Sequence, residues 1–264
     1  MIELILYSAF ILLLVRHRFF WMARHRKLSS KDSPLIMAHR GIKMNSPENT
    51  ISSYKEAIDA GFDALELDIL QTKDGELICS HNFDFERESN GVGWAQHTDY
   101  SKLKDIQMGV YTHPGNTQTI ARLQDVLNEI PNNIFLNIEI KTHSLFDLSA
   151  SKTFAKLFNR CEIKHSFMVS SFNPVVVAFF RLFYSKISIG YILKNITWLW
   201  TTHWLHPDYL HPRADLIDNE LLEMSQNHSL ALNLWTVNTI PALEWCKQNH
   251  ISGIISDNPK AIHV

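Results

Sequence analysis

Residues 37–82 read MAHRGIKMNSPENTISSYKEAIDAGFDALELDILQTKDGELICSHN. Inside this stretch the run ALELDIL sets Glu66 and Asp68 two residues apart among apolar neighbours. In a strand, side chains at i and i+2 share a face. Two carboxylates side by side on a face flanked by core-forming residues require a compensating partner. The same spacing returns downstream in IFLNIEIK, with Glu139 and Lys141. Ahead of ALELDIL, the apolar run LIMAH ends on His39 and is followed by Arg40. SPENTISSYKEAIDAG then predicts a helix, with Pro47 and Glu48 near its start and Gly61 at its end. The Asp-Gly pair of QTKDGEL marks a turn, and LICSH is a further strand ending on His81.

Beyond residue 118, helix-like and strand-like runs alternate to the C-terminus, closing on SGIISDNP with Asp257 at the end of the last strand. Residues 83–118 carry scattered Gly, Asn and Asp with little periodicity and read as an insertion. Nine strand-like runs, mostly separated by helices, predict a parallel sheet with crossover helices. Eight such units in a body spanning residues 34–264 predict a (β/α)8 TIM barrel. One run is surplus. The link between ALELDIL and LICSH is shorter than the dozen or so residues of a parallel crossover, so the barrel departs from regularity there.

In such barrels, chemistry gathers at the C-terminal ends of the strands. His39, Arg40, Glu66, Asp68, His81, Glu139, Lys141 and Asp257 all fall late in or just after their strands. Oxygen donors without cysteine suit a hard divalent cation, Mg²⁺ or Ca²⁺. The alternative is a set of structural ion pairs with Arg40 and Lys141. Two histidines can move protons near neutral pH, and Arg40 can grip an anionic ester through two parallel contacts.

The chain has 264 residues, 45% hydrophobic and 20% charged, with a formal net charge of −2, which gives no footprint for nucleic acid. Cys79, Cys161 and Cys246 are few and far apart, so neither a disulfide framework nor a zinc site is expected. The first 33 residues stand apart. IELILYSAFILLLV is apolar from Ile2 to Val15 except for Glu3 and Ser8, and RHRFFWMARHRK follows directly. This order predicts a single N-terminal membrane anchor with its basic flank and the catalytic body on the cytoplasmic side. The competing expectation is a leader that lies on the membrane surface or packs on the barrel, since the apolar run is short for a bilayer. LSSKDSP reads as a linker.

HRG, PENT, ELD, TKDGELICSH, NG and IEIK, in this order, together with SSFNP, LWTVN and GIISDNP, resemble the glycerophosphodiester phosphodiesterases. The resemblance runs from about residue 35 to the C-terminus. It implies hydrolysis of glycerophosphodiesters to sn-glycerol 3-phosphate and an alcohol. It further implies His39 and His81 as the acid/base pair, and Glu66, Asp68 and Glu139 as metal ligands. Arg40 and Lys141 would hold phosphate, Glu48 would support the site from behind, and Trp235 would wall the glycerol moiety. Two positions depart from the family pattern. The usual His-Asp is His81-Asn82, and an amide cannot supply charge. The usual proline before the helix containing LQDVL is Ala121. Lysophospholipids are an alternative substrate, suggested by the N-terminal segment and by Trp198, Trp200 and Trp204. A sphingomyelinase- or phospholipase-like enzyme and a non-catalytic membrane-tethered binder are further readings.

Overall fold

The computed structural model describes residues 2–24 and 34–264; all of the LSSKDSP linker except Pro34 lies outside them. Eight parallel strands form the body: β1 (Leu35–His39), β2 (Ala64–Gln71), β6 (Phe135–Ile140), β7 (Phe167–Ser171), β8 (Ile189–Leu193), β9 (Tyr209–Pro212), β10 (Ala231–Trp235) and β11 (Gly253–Ser256). Strand β1 pairs in parallel with both β2 and β11, which closes the ring. The fold is the expected (β/α)8 TIM barrel.

The surplus strand is β3 (Leu77–Cys79), which runs antiparallel to the end of β2, with Ile69 opposite Cys79. The Thr72–Gly75 turn folds this overhang back as a hairpin, so no crossover is needed. His81 therefore arrives at the barrel rim from an appended ribbon and not from a barrel strand. The inserted segment that follows contains a small ladder, β4 (Gln107–Met108) and β5 (Gln118–Thr119), and a cluster of its own around Phe85, Leu103 and Met108.

Helices α2 (Ile51–Asp59), α3 (Leu123–Glu129), α4 (Ser149–Asn159), α5 (Pro174–Phe183), α6 (Thr202–Leu205), α7 (Asn219–Asn227) and α8 (Ile240–Gln248) connect the strands. Period-2 alternation sorts their contacts. Leu65, Leu67 and Ile69 of β2 and Leu136, Ile138 and Ile140 of β6 belong to the main apolar core, with helix residues such as Tyr54, Phe154 and Phe180. The intervening positions, Glu66, Asp68, Asn137 and Glu139, are also buried. Helix α2 begins at Ile51, capped by Thr50, later than expected, so Pro47 and Glu48 lie in the turn before it.

The N-terminal segment corrects one expectation. Helix α1 (Ile2–Phe19) ends in Arg16-His17-Arg18. None of the described helices is long and apolar enough to cross a membrane, so the spanning anchor is not borne out. Trp21 lies just beyond the end of α1. It is buried against the barrel, its ring stacked between His206 and His228 at 4.7 and 4.3 Å. The Trp21 indole N–H donates to His203 Nδ1 at 3.2 Å, and Arg24 forks onto buried Asp208 at 2.6 Å through both Nε and Nη2. Helix α1 itself leaves Leu4, Leu6, Phe10 and Leu12 exposed. Trp198, Trp200 and Trp204, between β8 and β9, are also exposed. The three cysteines are free.

Trp21→Ala is expected to lower the unfolding free energy by about 3–5 kcal/mol, as deletion of a buried tryptophan does. Its exposed neighbour Phe20 should tolerate the same change within about 0.5 kcal/mol. Urea denaturation of both variants checks the contrast; equal effects would mean that Trp21 does not hold the N-terminal segment.

Candidate active site

The site begins at a left-handed turn. After β1 the backbone passes through Arg40 (φ +58°) and Gly41 (φ +80°). A Cβ on Gly41 would lie 2.6 Å from the Ser53 backbone, so only glycine fits. The turn aims the Arg40 guanidinium back across the rim. Its Nη1 donates to Glu48 at 2.8 Å, and its Nε lies 3.0 Å from Asp68 Oδ2. The Arg40 backbone N–H donates to Glu66 Oε2 at 3.1 Å.

Register brings the acids together. Pairing of β2 with β6 sets Asp68 beside Glu139, and pairing of β1 with β2 sets His39 beside Glu66. One carboxylate oxygen from each of Glu66, Asp68 and Glu139 lies within 4.8 Å of the others, and all three residues are buried. Lys141 Nζ lies 3.5 Å from Asp68 and 3.4 Å from Glu139. Their ionisation follows these surroundings. Burial raises Glu66 well above the usual carboxylate range, and Asp68 and Glu139 add to this. Burial also pushes Glu139 up to about 7 against the pull of Lys141. Asp68 is lowered: burial opposes ionisation, but Lys141 and Arg40 outweigh it. Asp68 Oδ1 accepts no hydrogen bond although it is buried. Three clustered carboxylates, one of them with a buried oxygen that accepts no hydrogen bond, fit a hard divalent cation.

The two histidines differ. His39 Nδ1 lies 2.8 Å from Asp257 Oδ1, and Lys43 Nζ is 2.5 Å from the same oxygen. Burial works against ionisation of Asp257, but His39 and Lys43 hold it well below the usual range. His81 is lowered to about 4, first by burial and then by Lys141. Both histidines line one cavity of about 370 Å³ together with Arg40, Glu66, Glu139 and Lys141. Trp235 also lines it, its ring edge-on to Phe172 at 5.6 Å and its indole N–H donating to the His211 carbonyl at 2.8 Å. The site residues expected from the sequence thus gather in or around one rim: His39, Arg40, Glu66, Asp68, His81, Glu139, Lys141, Asp257 and Trp235, with Glu48 behind Arg40.

Others were missed. Asn49, also left-handed (φ +56°), donates to Asp68 Oδ2 and accepts from the Asp68 backbone N–H, both at 3.0 Å. Tyr54 donates to the same Asn49 oxygen. Asn49 stands inside the PENT motif, which was the one signal for it. Lys43 and Lys194 add cations that no spacing announced. Asp257 was noticed at a strand end without a partner, because His39 is 218 residues away.

Residues 39–261 match the model of the glycerophosphoryl diester phosphodiesterase family. A glycerophosphodiester phosphodiesterase of Caldanaerobacter subterraneus subsp. tengcongensis is 28% identical over 237 residues, covering 86% of this chain and 96% of that protein. One of Bacillus altitudinis is 30% identical over 165 residues, 61% of this chain and 67% of the relative. Among solved structures, a phosphodiesterase of Oleispira antarctica in complex with the product sn-glycerol-3-phosphate superposes with a TM-score of 0.77 at 21% identity, covering 88% of this chain and 98% of the other. That likeness concerns the fold; the family follows from the match along most of the sequence. The chain belongs to the glycerophosphoryl diester phosphodiesterase family and is a phosphoric diester hydrolase.

Proposed function

We propose that the chain hydrolyses glycerophosphodiesters to sn-glycerol 3-phosphate and an alcohol, with a divalent cation, Mg²⁺ or Ca²⁺, held by Glu66, Asp68 and Glu139. The observation that carries this reading is the convergence of those carboxylates with two imidazoles on one rim cavity. Bound there, a cation supplies positive charge against the phosphodiester and the extra charge of its transition state. Arg40 and Lys141 add fixed positive charge on the same side. His81, kept neutral by burial and nearby cations, takes the proton from the attacking hydroxyl, either of water or of the substrate's own glycerol. His39, backed by the Asp257 carboxylate, protonates the departing alkoxide. Trp235 and Phe172 form the apolar wall against which the glycerol carbons rest.

A second reading has its own support. A chamber of about 480 Å³, lined by Phe83, Leu145, Phe172, Leu193 and Trp198, adjoins the site at Glu139 and Lys141. It would take an acyl chain, making lysophospholipids substrates. The exposed apolar α1 and the exposed tryptophans would then rest on a membrane surface.

His39→Ala and His81→Ala are each expected to lower release of sn-glycerol 3-phosphate from glycerophosphocholine by about 100-fold or more, with unchanged melting. Wild-type turnover by either variant overturns the assignment. Lysophosphatidylcholine in the same assay decides the second reading, which predicts that Trp198→Ala weakens that substrate alone.

Cation binding has a readout independent of turnover. Glu66 and Glu139 hold protons more tightly than free glutamates do. At these two positions the cation-free folded chain therefore binds more protons than the unfolded one, and their contribution to stability falls as pH rises from about 4.5 towards 7. Added Mg²⁺ or Ca²⁺ should raise Tm by roughly 5–10 °C at pH 8 when present about 100-fold above Kd, and by less at pH 5. Asp68→Asn should remove the shift. An equal shift at both pH values takes the cation off these carboxylates, and none at either removes it from the reading.

A further inference from the structure

Glu88 belongs to none of the motifs that carry the family resemblance, yet it reaches the rim. A Glu88 carboxylate oxygen, a Glu48 carboxylate oxygen and a ring nitrogen of His81 lie within 4.8 Å of one another. Asn82 turns its amide towards this acid and donates Nδ2–H to Glu88 Oε1 at 2.7 Å. The position after His81, where the family pattern has an acid, thus holds an amide whose hydrogen-bond partner is an acid.

The fold fixes Glu88 firmly. Its carbonyl accepts from the Gly109 backbone N–H. Gly109 passes so close to Pro47 that a Cβ would lie 2.2 Å from the proline ring, which ties the inserted segment to the turn carrying Glu48. The next residue, Ser89, bridges Met108, and its hydroxyl donates to the Phe85 carbonyl at 2.6 Å. The acid is therefore held between two anchored segments and does not sweep through solvent on a loose loop.

A second cation is not what this arrangement calls for. Arg40 already contacts Glu48 at 2.8 Å, and Lys43 lies 3.6 Å away. The Glu48 side of the cluster is thus supplied with positive charge. The opposite side faces His81, which has Lys141 and Arg40 nearby and must become an imidazolium when it takes a proton.

We propose that Glu88 is a positioning residue for His81, supplying from the inserted segment the negative charge that Asn82 lacks. This rests on the assignment of His81 given under Proposed function. Glu88 orients Asn82, and through the carboxylate facing the imidazole it stabilises the charge that His81 gains in the transition state. No substrate contact is required of it. The groups facing Glu88 are His81, Asn82, Glu48, Arg40 and Asp68; burial, and after it Glu48, push its carboxyl up to about 7, so its charge is fully in place above neutral pH, where kcat is read.

The test is a double-mutant cycle between Glu88→Gln and Asn82→Asp on the full chain, with glycerophosphocholine and saturating cation. Glu88→Gln keeps the shape and removes the charge, and is expected to lower kcat about 10-fold with KM within about 2-fold. Asn82→Asp alone is expected to lower kcat as well, because it sets two carboxylates in contact. The double variant carries one carboxylate again and should recover to within about 3-fold of wild type. A Glu88→Gln variant that turns over normally, or a loss that Asn82→Asp does not rescue in a variant melting like wild type, overturns the proposal. His81→Ala runs beside them. Activity in that variant would defeat the assignment of His81 itself, whereas an inactive His81→Ala with a normal Glu88→Gln defeats only the role of Glu88.

Discussion

Three carboxylates in the mouth of a closed sheet are the constraint around which the rest of this molecule is arranged. An isolated buried carboxylate costs several kcal/mol even after the protein relaxes around it, and Glu66, Asp68 and Glu139 stand together. Two fixed cations answer part of that charge. Arg40 and Lys141 both lie against Asp68 and favour its ionised form, while burial raises Glu66 and Glu139 above the usual carboxylate range. The protein alone therefore leaves the cluster under-compensated. Such a layout wastes stability in a purely structural ion-pair network and suits a centre that takes up positive charge from outside.

Local backbone geometry serves the same end. Arg40 and Asn49 occupy left-handed conformations that residues other than glycine rarely adopt. Both contact Asp68, one by charge and one through two hydrogen bonds. Strain at two positions of the connection between β1 and α2 is thus repaid at a single carboxylate. The buried Tyr54 hydroxyl on Asn49 extends this support into the helix layer, so the site is continuous with the packing of α2.

What could be read from the chain alone follows the range of the interactions involved. The i, i+2 spacing of Glu66 with Asp68 and of Glu139 with Lys141 is a local signal, and it placed the acids on one face correctly. Alternation of apolar runs placed the barrel. His81 was located, but its route was not: β3 turns back antiparallel, and a short apolar run gives no sign of its direction. The N-terminal helix was legible as a helix, but the destiny of Trp21 was not, since its ring lies between histidines from residues 206 and 228. The Asp257–His39 contact joins the two ends of the barrel and has no sequence spacing at all. The start of α2 was misjudged because Pro47 suits a first helical turn, whereas the capping hydroxyl is that of Thr50.

The asymmetry between the two histidines connects these observations. His39 belongs to a barrel strand and is bonded to Asp257 at the end of the neighbouring strand, so its carboxylate partner comes with the closed ring. His81 stands on an appended ribbon, outside the parallel ladder. Its surroundings instead come from the turn before α2 and from the inserted segment, through Glu48 and Glu88. The insertion is thus pinned at Gly109 against Pro47 for a reason beyond its own small core. A histidine supported only by its ribbon would move with it. Tying the insertion to the Pro47–Glu48 turn makes the distance between the two imidazoles a property of the barrel, and the proposed proton transfer at both ends of one phosphodiester would need that distance held.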